Sequence, residues 1–130
     1  MKLTKREYVI MKILWEADEP LIISEIVKRE PGSTIFGVQR LIKRLLSKEM
    51  VAVDSVVYSH KTLARKFKAT VSAEDFEIAN MKKIFNSMTE RNIPASDIIA
   101  SMISAIDNDK LVDELDRLGK IIQEKKASLN

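Results

Sequence analysis

The chain has 130 residues, 45% apolar and 32% charged, with 22 Lys and Arg against 19 Asp and Glu, a net charge of +3. This suits one domain, or two small lobes sharing a core, and argues against wholesale disorder. With no cysteine, one histidine and three glycines (Gly32, Gly37 and Gly119), the sequence excludes disulfides, thiolate metal sites, cysteine nucleophiles, a His-rich metal centre and a Gly-rich phosphate loop.

Thr4-x-x-Glu7 is a capping box that opens a first helix over about residues 5–17, with Tyr8, Met11, Leu14 and Trp15 among its apolar positions. Pro20 follows its end. Ser24 is the expected cap of a short second helix reaching about Arg29 and burying Ile26 and Val27, and Pro31-Gly32 stops it. Ser33 or Thr34 caps a third helix to about Lys48. Its apolar set is Val38, Leu41, Ile42, Leu45 and Leu46, an unbroken i, i+3, i+4, i+7, i+8 stripe. Gln39, Arg40, Lys43, Arg44 and Ser47 occupy the other side.

Residues 50–59, rich in β-branched side chains, a basic turn over 60–65 and an alternating stretch over 66–71 predict a two-stranded antiparallel hairpin. In that reading Phe67, Ala69 and Val71 share one side, and Lys66, Lys68 and Thr70 the other. Three short helices followed by a hairpin is the order of a winged helix-turn-helix.

From Ser72 the pattern is helical again. Ser72-x-x-Asp75 resembles a capping box and starts a fourth helix to about Glu90, with Ile78, Met81, Phe85 and Met88 at 3-4-3 spacing, widened by Phe76, Ala79 and Ile84. Asn92-Ile93-Pro94 interrupts the chain. A fifth helix over 95–106 carries Ile98, Ile99, Met102, Ile103 and Ile106. A sixth, to about Lys126, carries Leu111, Leu115, Leu118 and Ile122. Three helices of under 60 residues in all are too few to shield this much apolar surface comfortably, so a homodimer seam is expected at Ile78, Met81, Phe85, Met88, Ile99, Met102, Ile103, Leu111, Leu115, Leu118 and Ile122, the alternative being that these stripes pack back on the N-terminal lobe. The expected architecture is mostly α with a small β-hairpin: a winged helix-turn-helix lobe over 1–71 and a three-helix dimerisation lobe over 72–130.

Charge follows the same division. Residues 1–71 carry 14 basic and 8 acidic side chains, net +6, while residues 72–130 carry 8 and 11, net −3. No carboxylate lies between Glu30 and Glu49 or between Asp54 and Glu74, and those windows hold Arg40, Lys43, Arg44, Lys48, Lys61, Arg65, Lys66 and Lys68. Acid-free basic windows in a small lobe are the footprint of a polyanion-binding surface, and on charge alone equally that of an ordinary solvated surface.

On a double-stranded DNA operator, the early exposed residues of the third helix would reach base edges: Phe36, Gln39, Arg40 and Lys43. Gln pairs with adenine, Arg with guanine, and an apolar ring meets a thymine methyl. Arg44, Lys61, Arg65, Lys66 and Lys68 would meet phosphates. Gly37 either lets the DNA backbone approach closely or merely weakens the helix.

Trp15 reads as core and His60 as a turn residue, and Met81, Met88 and Met102 as core or seam. Asp107, Asp109 and Asp113 read as acids at a helix start rather than metal ligands. No apolar run approaches 18 residues and the N-terminus lacks the apolar stretch of a signal peptide, so no membrane contact and a cytoplasmic location are expected, with no enzyme activity, cofactor or metal. A protein-interaction adaptor built on the same winged helix, without specific DNA binding, is the alternative. A regulator sensing a small molecule at the dimer seam also stays open.

"ILWEADEPLIISEIVKRE" (13–30) and "RLIKRLLSKEMV" (40–51) resemble the bacterial penicillinase-repressor and methicillin-resistance-repressor family. The resemblance is carried by Met11-x-x-Leu14-Trp15, Ser24-Glu25-Ile26-Val27 and Arg44-Leu45-x-x-Lys48, and "VSAEDF" (71–76) resembles that family's hinge from wing to C-terminal helices. It implies a dimeric transcriptional repressor with a winged-helix lobe and a helical dimerisation lobe. The chain departs from the family at Gly37 and Arg40, where threonines are frequent, at Glu49, where glycine is usual, and in the turn from His60 to Arg65. The C-terminal cysteines of copper-responsive relatives are absent. So is the Asn-Phe bond at which antibiotic-responsive relatives are cut; the corresponding stretch reads Ile99-Ala100-Ser101-Met102. The inducing signal and the operator sequence do not follow from the resemblance.

Overall fold

The computed structural model describes residues 2–130. They gather into two compact units, one ending at Asn80 and one spanning Met81–Asn130.

In the first unit, α1 (Lys5–Glu16) begins at a complete capping box: the Glu7 N–H donates to Thr4 Oγ1 at 3.1 Å, and the Thr4 N–H donates to Glu7 Oε1 at 2.8 Å. The second helix, α2 (Ile23–Arg29), starts earlier than its sequence suggests, and Ser24 is not its cap. The Glu25 carboxylate reaches back to accept the Ile22 N–H at 3.0 Å, which satisfies that orphan donor without the serine. A turn over 30–33 follows. The Ser33 N–H donates to the Glu30 carbonyl at 3.1 Å, and Gly32 takes the left-handed φ of +85° that this turn requires.

Next, α3 (Ile35–Ser47) is capped by Thr34, whose hydroxyl accepts the Gly37 N–H at 3.0 Å. Its apolar stripe goes inward as expected: Val38, Ile42 and Leu45 are buried, and Leu41 and Leu46 are half-buried. The helix ends in a Schellman motif. The Met50 N–H donates to the Leu45 carbonyl and the Glu49 N–H to the Leu46 carbonyl, each at 3.0 Å, with Glu49 held at φ +60°.

The hairpin pairs β1 (Val51–Ser59) with β2 (Thr62–Ala69), antiparallel. Its turn is only His60-Lys61, both at positive φ, so Thr62–Arg65 are strand and not the long basic turn expected. A two-residue turn of this hand matches the twist of the strands it joins, and a longer loop is not needed. The register slips once, at Asp54, an extra residue that bulges β1.

Beyond the hairpin, Leu21 adds a third short rung. The Leu21 N–H donates to the Phe67 carbonyl at 3.0 Å, and the Phe67 N–H returns to the Leu21 carbonyl at 2.8 Å. Phe67 joins Ile10, Met11, Leu21, Ile26, Val38, Ile42 and Leu45 in one core. Tyr8, Trp15 and Phe76 pack as an aromatic trio with centroids 5.4–6.2 Å apart. The Trp15 Nε1–H donates to the Val71 carbonyl at 2.8 Å, and the Tyr8 hydroxyl to Glu77 Oε1 at 2.6 Å.

The fourth helix, α4 (Ala73–Glu90), starts in this unit and continues into the next. Ser72 Oγ accepts the Asp75 N–H at 3.0 Å, which is half of the anticipated box. α4 closes at Asn92 (φ +67°) with the same pair of hydrogen bonds that closes α3. Two further helices make up the second unit, α5 (Ala95–Ile103) and α6 (Asn108–Ser128). α5 is shorter than its apolar pattern, because the Ala105 and Ile106 N–H groups turn back to the carbonyls of Met102 and Ile103, tightening the last turn out of the α form. In 81–130, Ile98 alone among the described residues is buried.

Candidate nucleic-acid interface

Two elements set the candidate site: the solvent side of α3, and the hairpin. Because Val38, Ile42 and Leu45 turn inward, the helix period sends Phe36, Gln39, Arg40, Lys43 and Arg44 outward, and all five are exposed. Phe36 is 80% exposed. No acidic residue stands in the first turn of α3. Gly37 has a local explanation. A Cβ there would lie 3.1 Å from the capping Thr34 hydroxyl, so glycine at this position spares the cap.

The expected phosphate-binding residues do not share one surface. Strand register puts Lys66 and Lys68 on one face of the hairpin, with Ser55 opposite Lys66 and Ala52 opposite Lys68. Arg65 lies on the other face, its guanidinium 5.3 Å from the centre of the Phe67 ring. Lys61 is in the turn. Lys68 is 3.6 Å from Asp54, an exposed pair of little energetic weight. Among the described residues, Arg40, Lys43, Arg44, Lys61, Arg65 and Lys66 have no carboxylate within 4.0 Å.

The structure also exposes apolar side chains that the sequence reading passed over. Ile35, next to Phe36, is 51% exposed. On the Arg65 face of the hairpin, Val56, Tyr58 and Leu63 stand in solvent, with Tyr58 opposite Leu63. The signal was the alternation of Val56 with Tyr58 and of Leu63 with Arg65, which becomes legible once the turn is reduced to two residues.

One lysine of the basic windows is structural. Lys48 Nζ lies 2.7 Å from Glu7 Oε1 and donates to the Lys2 carbonyl at 3.0 Å. Burial opposes ionisation of Glu7, but hydrogen bonds from Lys48 and Thr4 outweigh it and hold the carboxyl below its ordinary value. Beside α4, the hydrogen bond from Tyr8 to Glu77 raises the Tyr8 pKa.

In the C-terminal half, Ile78, Met81, Ile99, Met102, Leu115 and Ile122 are exposed, and Phe85, Met88, Ile103, Leu111 and Leu118 half-buried. Ile84, Val112 and Ile121 add to this exposed apolar surface. Among the described residues no group of three or more His, Cys, Asp or Glu is placed to hold a metal ion, and no helix is long and apolar enough to cross a membrane.

A helix-turn-helix formed by α2 and α3, with a hairpin hydrogen-bonded to Leu21 behind it, defines a winged helix. The chain belongs to the penicillinase repressor family, whose model matches residues 3–124. It is thus a winged-helix transcriptional repressor. Solved structures similar to it include the adhesin competence repressor AdcR of Streptococcus pyogenes, with 16% identity, 95% of this chain and 80% of that chain covered, and a TM-score of 0.43. Another is FabT of Streptococcus pneumoniae in complex with DNA, with 13% identity, 97% and 78% covered, and a TM-score of 0.44. No curated protein matches the chain.

Proposed function

We propose that this repressor is a cytoplasmic homodimer that binds a palindromic double-stranded DNA operator, with residues 1–71 engaging DNA and residues 72–130 holding the two copies together. Phe36, Gln39, Arg40 and Lys43 read base edges in the major groove. Arg44 and the hairpin cations Lys61, Arg65, Lys66 and Lys68 meet phosphates.

The observation that carries this reading is the outer face of α3, a helix without acidic residues, where Arg40, Lys43 and Arg44 are exposed and have no carboxylate within 4.0 Å among the described residues. Such cations bind a polyanion by releasing its counterions. Dimerisation is supported by the apolar stripes of the last three helices, which this chain leaves exposed.

Selection of bound fragments from genomic DNA by the purified protein tests the proposal. The expected result is an inverted repeat, its half-sites separated by about 34 Å or a multiple of it, with affinity falling steeply as salt rises. A folded protein that enriches no sequence would overturn it in favour of the adaptor reading.

A further inference from the structure

We infer that Ile35 and Phe36 form a paired reader of 5-methyl groups, so that each operator half-site carries a thymine step beside the base pair met by Gln39 and Arg40. This rests on the operator reading above and names the base chemistry it requires. Ile35 and Phe36 are the first two residues of α3, and both are exposed (51% and 80%), while Val38, Ile42 and Leu45 are buried and Leu41 and Leu46 half-buried. Bare apolar side chains at a helix start gain nothing in water; against DNA, the thymine methyl is the apolar feature of the major groove.

Their surroundings select DNA as the occupant. Phe36 shares its face with Gln39, Arg40 and Lys43, at i+3, i+4 and i+7, and the cations of that face are unpaired among the described residues. A purely apolar partner would strand those charges, whereas a duplex neutralises them. The Thr34 cap also fixes the backbone that carries the pair, through its 3.0 Å hydrogen bond to Gly37. One helical turn, about 5.4 Å, separates Ile35-Phe36 from Gln39-Arg40, so the two readings fall about one to two base pairs apart.

The test replaces thymine by uracil, which removes only the methyl, at each position of both half-sites in the selected operator duplex. Affinity is then measured at fixed salt for the wild-type protein, Phe36→Ala and Ile35→Ala. At one or two thymines per half-site, uracil weakens wild-type binding by about fourfold per methyl, the value of burying one such group. Phe36→Ala or Ile35→Ala, both at exposed positions that leave the core intact, loses that sensitivity. A selected operator that tolerates uracil everywhere overturns the inference and leaves the operator reading standing. So does uracil sensitivity that persists unchanged in both variants. Failure to select any operator removes both.

Discussion

The Lys48 ammonium is 2.7 Å from Glu7 Oε1, and the Glu7 side chain has no exposed surface while 29% of the Lys48 side chain does. The pair links the start of α1 to the end of α3, the helix that carries the residues proposed to read DNA. The other Glu7 oxygen, Oε2, is buried without a hydrogen-bond partner among the described residues, and Lys48 and the Thr4 N–H both donate to Oε1. Removing one member therefore has unequal effects. Lys48→Met strands a buried carboxylate and lowers stability by about 2–4 kcal/mol. Glu7→Gln leaves an ammonium that solvent already reaches, and costs less. Urea unfolding of the two variants measures the difference.

The same pair gives a pH dependence with a definite sign. The folded Glu7 carboxyl titrates below its ordinary value of 4.5, so its contribution is complete above that pH and is lost as pH falls through the lower, folded value. The stability gap between the wild type and Glu7→Gln is constant from neutral pH down to about 5 and narrows below 4.5. A gap that widens on acidification would contradict this assignment.

Glu49 closes α3 at φ +60°, where a side chain is strained and glycine is not. Glu49→Gly keeps both Schellman hydrogen bonds and relieves the Cβ, raising stability by about 0.5–1 kcal/mol after the added chain entropy of glycine. The expected signature is a higher urea midpoint at an unchanged slope.

The homodimer proposal predicts a dimer at tens of micromolar (roughly, since an obligate seam is far tighter). Leu115→Asp with Ile122→Asp, both on the exposed stripe of α6, should shift it to monomer and weaken operator binding with it. Sedimentation equilibrium reads the first effect. A wild-type chain that sediments as a monomer at that concentration ends the proposal.

Arg40→Ala should cost about 1–3 kcal/mol on the selected operator and relax preference at one base pair per half-site. Replacing Lys66 and Lys68 together should weaken specific and random DNA alike and flatten the salt slope by up to about 2 units per protomer. Equal losses on specific and random DNA for Arg40→Ala would make it a phosphate clamp.

The helices of the first unit were legible because their apolar residues repeat without a break and Thr4 and Thr34 hold the expected caps. Ser24 misled because a serine at a helix start is a strong local signal, whereas the Glu25 carboxylate that satisfies Ile22 acts from three residues downstream. Leu21 gave no strand signal at all, since a single paired residue has no periodicity and exists only because Phe67 is brought beside it. The hairpin faces depended on the turn: placing it at His60-Lys61, with the bulge at Asp54, separates Arg65 from Lys66, while composition shows only a run of cations.

Trp15 is the chain's one tryptophan, its indole tied to the Val71 carbonyl and packed on Phe76, and both tyrosines, Tyr8 and Tyr58, also precede residue 81. Residues 81–130 thus contribute helix but neither tryptophan nor tyrosine. Indole emission follows only the melting of the first unit, while circular dichroism at the helix bands follows both. Superimposable curves from the two probes would mean that the halves unfold as one cooperative block; curves that part would give each half its own midpoint from the native chain, with no label and no truncation.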